Sequence, residues 1–421
     1  MIHVALIAIA LLGSVYFATR TRRVDAYTVA WYGGILYFLP GVVGYTLSPV
    51  TPDSPIKLPI ALVPEASVVM LAVLLALLVT GAIYDELVSR WPSKQPTMAG
   101  CEIAAEIALL LALLGLILTY IESGGAAFAA DKRVVIEVVG RGHLLWQMGA
   151  SVSAVLAFVH RRKRTGTLAW LLLLGDMLIG FRYAFALSMV AVALLWASRL
   201  GEVRLISLPK KYVVTVLAAG LLVISYQNLK EPVRNGDWSE IGRRISSPLW
   251  YGKGILTSEP FTTQTVLNEI VRRDFRTRTD HVQSAAQHFL LFSRELGAET
   301  DRFGDLYQPA LFPRVDHGLG NNIWAQMWSA GGWPLLGVFI LLFATAMGLG
   351  SRLLLIRDPT ISALVALSIA YAGFYLHRNE LLVEVGYLKQ VFLVWTLSVV
   401  GGWVLALVVT TLLEPSERPR R

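Results

Sequence analysis

Residues 168–197 read LAWLLLLGDMLIGFRYAFALSMVAVALLWA, a stretch whose only charged side chains are Asp176 and Arg182. Its flanks are basic on both sides, with His160-Arg-Arg-Lys-Arg164 before it and Arg199, Arg204, Lys210 and Lys211 after it. Lys and Arg accumulate in cytoplasmic loops, so both flanks belong on one face of a bilayer and the segment crosses an even number of times. A single tilted helix is the alternative, but it puts the flanks on opposite faces. Two short helices of about 14 residues, turning near Gly180, satisfy both constraints. Broken helices at membrane depth are tolerated only where protein or a water-filled cavity surrounds them. The hairpin therefore predicts a polar cavity beside Asp176 and Arg182.

The same logic extends along the chain. Of 421 residues, 55% are apolar and 16% charged, with a mean hydropathy of +0.58. A soluble domain is about half apolar and about a quarter charged. Runs such as Ile60–Ile83 and Val385–Val409 exceed the roughly 20 apolar residues that cross a hydrocarbon core. The apolar run from Ile2 has no basic region ahead of it and Arg20, Arg22 and Arg23 behind. It reads as a retained first helix with its N-terminus outside. Spans follow at 26–47, 60–83, 101–121 and 143–159, then the hairpin at 168–197, then 212–227, 331–350, 361–376 and 385–411. Arg352 and Arg357 lie inside, His377-Arg-Asn-Glu380 outside, and Arg418, Arg420 and Arg421 inside.

The expected fold is thus an all-α polytopic membrane protein of about 11 transmembrane helices. Residues 1–227 hold helices 1–8, residues 228–330 form one large, partly helical periplasmic or extracellular loop, and residues 331–421 hold helices 9–11 and a cytoplasmic tail. The formal charge of +8 reflects cytoplasmic Lys and Arg, so nucleic acid is not expected as a partner, whereas membrane lipid is. Cys101 is the single cysteine, so no intrachain disulfide forms. No repeat, Walker loop, dinucleotide fingerprint or zinc-ligand spacing is present, which argues against ATP-driven transport by this chain.

The loop carries 12 Lys/Arg and 12 Asp/Glu, so attraction to anionic lipid is not its overall theme. Thr263–Arg276 places Val266, Leu267, Ile270 and Val271 on one side of a helix. Asp280–Leu296 places Val282, Ala286, Phe289 and Leu290 on one face, with Asp280 as N-cap. Such helices lie on the outer leaflet, form a lid, or simply pack.

Three basic constellations converge on the outer side in this topology: Arg182 at the hairpin turn, Arg314-Val-Asp-His-Gly-Leu-Gly-Asn-Asn322 ahead of a helix from Ile323, and His377-Arg378. Arg141 and His143, opening the fifth span, join them. Each alternatively serves as an interfacial anchor. Arginines around an outward cavity suit a lipid-linked phosphate or pyrophosphate, because guanidinium matches phosphate oxygens bidentately. A pyrophosphate leaving group reduces the need for a general acid. What remains is a base for an attacking sugar hydroxyl, and His317 suits that role, with Asp316 orienting it or acting itself.

The loop ending in Phe312-Pro313, Arg314, His317 and Asn321-Asn322, followed by Gly331-Gly332 in a hydrophobic helix, resembles the Wzy-type polysaccharide polymerases. The Gly180-Phe-Arg182 break and the helix count are similar to that family too. The resemblance implies a glycosyltransferase that lengthens a glycan on undecaprenyl pyrophosphate at the outer face of the inner membrane. It implies pyrophosphate binding by Arg182 and Arg314, with Arg378 and Arg141 beside them, and His317 as base. It further implies sugar or acceptor contacts from Asn321, Asn322, His377 and Asp176. No cofactor and no metal are implied, and a chain-length regulator and a flippase are the expected pathway partners. O-antigen ligases share the plan and pass the glycan to lipid A core or protein. A lipid-linked glycan transporter is the non-enzyme alternative, which usually carries two structural repeats.

Overall fold

A computed structural model describes residues 2–21, 24–88, 101–128, 138–211, 235–256, 258–290, 301–356 and 358–413, with isolated positions between them. Most of the expected 212–227 span, Arg22, Arg23, Arg357 and the basic tail lie outside the described residues. The described chain is overwhelmingly helical. Among the described residues, seven helices are long and apolar enough to cross a membrane: Ile2–Thr19, Pro64–Leu87, Ala104–Ser123, Arg141–Val159, Ile323–Leu353, Pro359–Arg378 and Leu381–Val409. Two compact units emerge. The first comprises Met1–Pro92, Trp196–Arg352 and Ile369–Leu388; the second comprises Ser93–Leu195, Leu353–Ser368 and Lys389–Arg421.

In the first unit, one expected span is shorter than predicted. Helix Ala26–Tyr37 gives way to a turn of helix at Leu39–Val43 that carries Pro40. Tyr45–Leu47 then pairs antiparallel with Pro59–Ala61, Tyr45 opposite Ala61 and Leu47 opposite Pro59. The 26–47 run is therefore not one membrane helix, and the next begins at Pro64 rather than at 60. Proline permits a helix start but denies the backbone donor that a continuing helix needs.

Arg20 is not an exposed topological charge either. It is buried, 2.5 Å from Asp25 and 2.9 Å from Asp85, with Tyr16 also donating to Asp85. This cluster ties together the adjoining ends of three helix segments. Ion pairs removed from water hold only when several hydrogen bonds offset their desolvation.

The predicted loop helices form with shifted bounds, Glu259–Arg272 and Thr279–Gln287. Val266, Leu267 and Ile270 are fully buried, but so are Phe261, Gln264 and Asn268 on other sides of the same helix. Asn268 accepts from the Val63 N–H at 2.8 Å and donates to the Ala61 carbonyl, clamping the β-hairpin. The first helix is thus an interior element rather than one lying on a leaflet. In the second, Arg278 occupies the N-cap position and Asp280 falls in the first turn. Its buried residues are His281, Ser284 and Ala285, while Phe289 and Leu290 are exposed, so the expected apolar face points outward.

In the second unit, helices Arg141–Val159 and Lys163–Ile179 are joined by the tight basic turn at His160–Arg162, with Arg161 in the left-handed region. The second helix is capped by Gly180 at φ 116°, a conformation that side chains resist, and the Phe181 N–H returns to the Asp176 carbonyl. Helix Tyr183–Arg199 follows. Each segment has 17 residues, longer than expected because the first starts at Lys163 and the second runs to Arg199. Trp170 and Phe185 rings meet at 5.3 Å, whereas a continuous helix would separate those positions by about 22 Å. The chain breaks and turns at Gly180.

Helix Ala104–Ser123 packs closely on Arg141–Val159 through small residues. A Cβ on Gly149 would come within 2.6 Å of the Ala112 backbone nitrogen. Such close approach is how helices associate where no hydrophobic effect drives them together. Gly149→Leu should therefore destabilise the protein by about 1–3 kcal/mol or more, seen as a lower midpoint for thermal aggregation in detergent, while Gly337→Leu, where a Cβ would meet nothing within 4 Å, serves as a control.

Candidate active site

Residues 312–322 form a loop whose ends are set by simple chemistry. Helix Phe303–Leu311 stops at Phe312, and Pro313 cannot extend it. The next helix opens at Ile323 with Asn322 as its cap, its Oδ1 accepting from the Ala325 N–H at 3.1 Å. Between these ends one side chain organises the backbone. Gln308 donates through Nε2 to the Val315 and His317 carbonyls, at 3.3 and 2.8 Å, and accepts from the Leu319 N–H at 3.3 Å. The turns are thereby held from within, while the side chains that carry chemistry point away.

Those side chains are Arg314, Asp316 and His317. Arg314 is 78% exposed and lies 3.7 Å from Asp53, a long surface pair of little energetic weight. His317 Nδ1 is 3.1 Å from Asp316 Oδ1, with both side chains open to solvent. A carboxylate on one ring nitrogen selects the tautomer that leaves the other nitrogen as acceptor. The expected base and its orienting partner are therefore adjacent.

The remaining first-unit candidates lie deeper. Asn321 is half-buried and Asn322 fully buried, where its Nδ2 donates to Gln264 at 3.2 Å besides capping the helix. His377 is not an interfacial anchor. It is fully buried among Phe38, Trp324 and Phe343, accepting from the Trp324 indole at 3.2 Å. Arg378 pairs with Glu259 at the start of the buried loop helix and lies against the Tyr375 ring.

Two residues that sequence reasoning did not select complete this region. Glu380 is buried and accepts from the Phe303 N–H, bracing the first turn of the helix that leads into the loop. Gln326 accepts from the Leu381 N–H at 2.8 Å. Glu380 lay within the quoted His377–Glu380 stretch, but only its burial distinguishes it. Nothing in the sequence marked Gln308.

The second-unit candidates form a different arrangement. Asp176 is fully buried, 2.7 Å from His143 Nε2 and 2.8 Å from Gln147 Nε2. Tyr183 donates to the Gln147 carbonyl oxygen, so one network joins three consecutive helices around the break. Asp176 thus meets protein partners, where the sequence reading placed a cavity. Arg182 is half-buried in the break itself, and His143 stacks on Phe181 at 4.4 Å. Arg141 is exposed at the first residue of its helix, an end where the helix dipole offers a cation no advantage. Among the described residues no group of three or more His, Cys, Asp or Glu side chains could hold a metal ion.

No family model, curated protein or solved structure matches this chain.

Two expectations follow. Gln308→Ala should cost about 1–3 kcal/mol locally and speed amide exchange at Val315–Leu319, with exchange elsewhere unchanged. Burial pushes the Glu380 carboxyl up to about 7 against the pull of the Phe303 and Gly304 amides and Arg302. A carboxyl raised on folding means the native state holds the proton more tightly, so its contribution is full below about 4.5 and lost as pH rises through about 7. Thermal stability should fall over that window, and Glu380→Gln should flatten the fall.

Proposed function

We propose that this chain is a membrane glycosyltransferase that polymerises undecaprenyl-pyrophosphate-linked oligosaccharide repeat units. The observation that carries the reading is the Gln308-braced loop, which presents Arg314 and the Asp316–His317 pair on a held backbone. Functional side chains on a loop positioned by a rigid scaffold are the usual arrangement for binding and catalysis. In this reading Arg314 receives the donor pyrophosphate, where guanidinium offsets the charge that builds on the leaving group. His317, oriented by Asp316, takes the proton from the acceptor hydroxyl as it attacks the anomeric carbon. Asn321 and Arg378 are secondary contacts, and Asn322 and His377 act by holding the helices that carry Arg378 and the loop.

The accompanying topology has about 11 spans, the N-terminus outside, the C-terminus cytoplasmic, and residues 228–330 at the outer face of the inner membrane. The test is reconstitution with lipid-linked repeat units, followed by separation of the products by length. The wild type should produce a ladder. Arg314→Ala and His317→Ala should each reduce extension by about 100-fold or more without changing expression or insertion. Full-length ladders from both variants would overturn the assignment, and a product attached to something other than polyprenyl lipid would make the protein a ligase.

A further inference from the structure

The Trp238–Ile245 helix stands apart from the buried helices of its unit. Its sequence, WSEIGRRI, places Trp238, Ile241 and Ile245 at positions one, four and eight, a single face of an α-helix. None of its eight residues is buried; Trp238 is 75% exposed and Ile245 47%. Gly242 lies on the same face, and a Cβ there would meet nothing within 4 Å. Trp238, Gly242 and Ile245 are exposed and Ile241 is half-buried between them.

The other side of the helix carries paired charges. Asp237 caps it, accepting from the Glu240 N–H at 3.0 Å and from the Ser239 hydroxyl at 2.7 Å. Glu240 binds Arg243 at 2.8 Å and Arg244 at 2.6 Å. Two carboxylates and two guanidiniums cancel, so the helix carries no net charge with which to seek an oppositely charged partner.

We propose that this helix lies in the headgroup–acyl boundary of the bilayer, with Trp238, Ile241 and Ile245 directed toward the acyl chains. A second copy of the chain is a poor occupant. Stable protein interfaces bury about 800 Å² per partner and involve about 20 or more residues a side, far beyond three side chains on two turns of helix. A bilayer is different, because the seven membrane-length helices bring it to this chain in any case. Tryptophan is the side chain that prefers the interface, with an apolar body and an indole N–H for the headgroups. A short helix that could not bind lipid alone needs only to be held at the surface by its own chain. Because its charges cancel, contact depends on apolar burial and not on anionic lipid. The inference is independent of the proposed catalytic activity.

The test uses full-length protein with Cys101→Ala, carrying Ile245→Cys or Ser239→Cys labelled with an environment-sensitive fluorophore, in phosphatidylcholine nanodiscs. The label at 245 should be blue-shifted and quenched several-fold more by lipid bearing a nitroxide near the headgroup than the label at 239. Iodide should quench the two in the reverse order. Added phosphatidylglycerol or raised salt should leave both unchanged. Equal quenching at the two sites, shielding of 245 from both quenchers by protein, or lipid contact only with phosphatidylglycerol would each overturn the proposal.

Discussion

A bilayer core supplies no hydrogen bonds, so a polar group carried into it must find its partner within the protein. In this chain that requirement organises the backbone as much as the side chains. Asp176 would be untenable alone in an apolar stretch, and its two oxygens are taken by His143 and Gln147. Tyr183 then extends the network across the break. The charge that makes residues 168–197 a poor membrane helix is what fastens the helix turn. Arg20 shows the same economy, with two aspartates, a threonine and flanking aromatic rings around one guanidinium.

The buried Glu259–Arg272 helix applies the principle to the loop. A helix with Thr263, Gln264, Thr265 and Asn268 in its interior-facing positions is poorly suited to a lipid surface. Inside a fold it is useful, because each amide can reach backbone that lacks a regular partner. Asn268 serves the hairpin strand and Gln264 serves the Asn322 cap. Together with Gln308 and Glu380, these residues give the 312–322 loop a defined course. Arg314, Asp316 and His317 then stand open to solvent on a held backbone.

Much of this was legible in the residues. Long uncharged runs announced the membrane helices because 20 apolar residues have few other stable places to go. A glycine between two apolar halves of residues 168–197 marked the break, since Gly180 can take the positive φ that ends the first helix. The pairing of Asp316 with His317 followed from adjacency. The errors have a common origin. Apolar periodicity identifies a helix but not what covers it: Val266 and Leu267 are enclosed by protein, whereas Phe289 and Leu290 are exposed. The same limit hid the Trp238–Ile245 helix, whose eight residues are too few for a strong periodic signal.

The sequence by itself determined the class of solvent, the helical architecture and the location of the break at Gly180, because these depend on hydropathy, charge balance and a glycine's access to positive φ. Only the tertiary structure decided which polar residues hold the molecule and which are presented. Gln308, Glu380 and Gln147 are chemically ordinary, and their roles come from the backbone groups that distant segments bring within 3 Å or so. His377 and Arg314 are similar as sequence signals, yet one is enclosed by aromatic rings and the other faces water. That difference is made by neighbours far away in the chain, which no local pattern records.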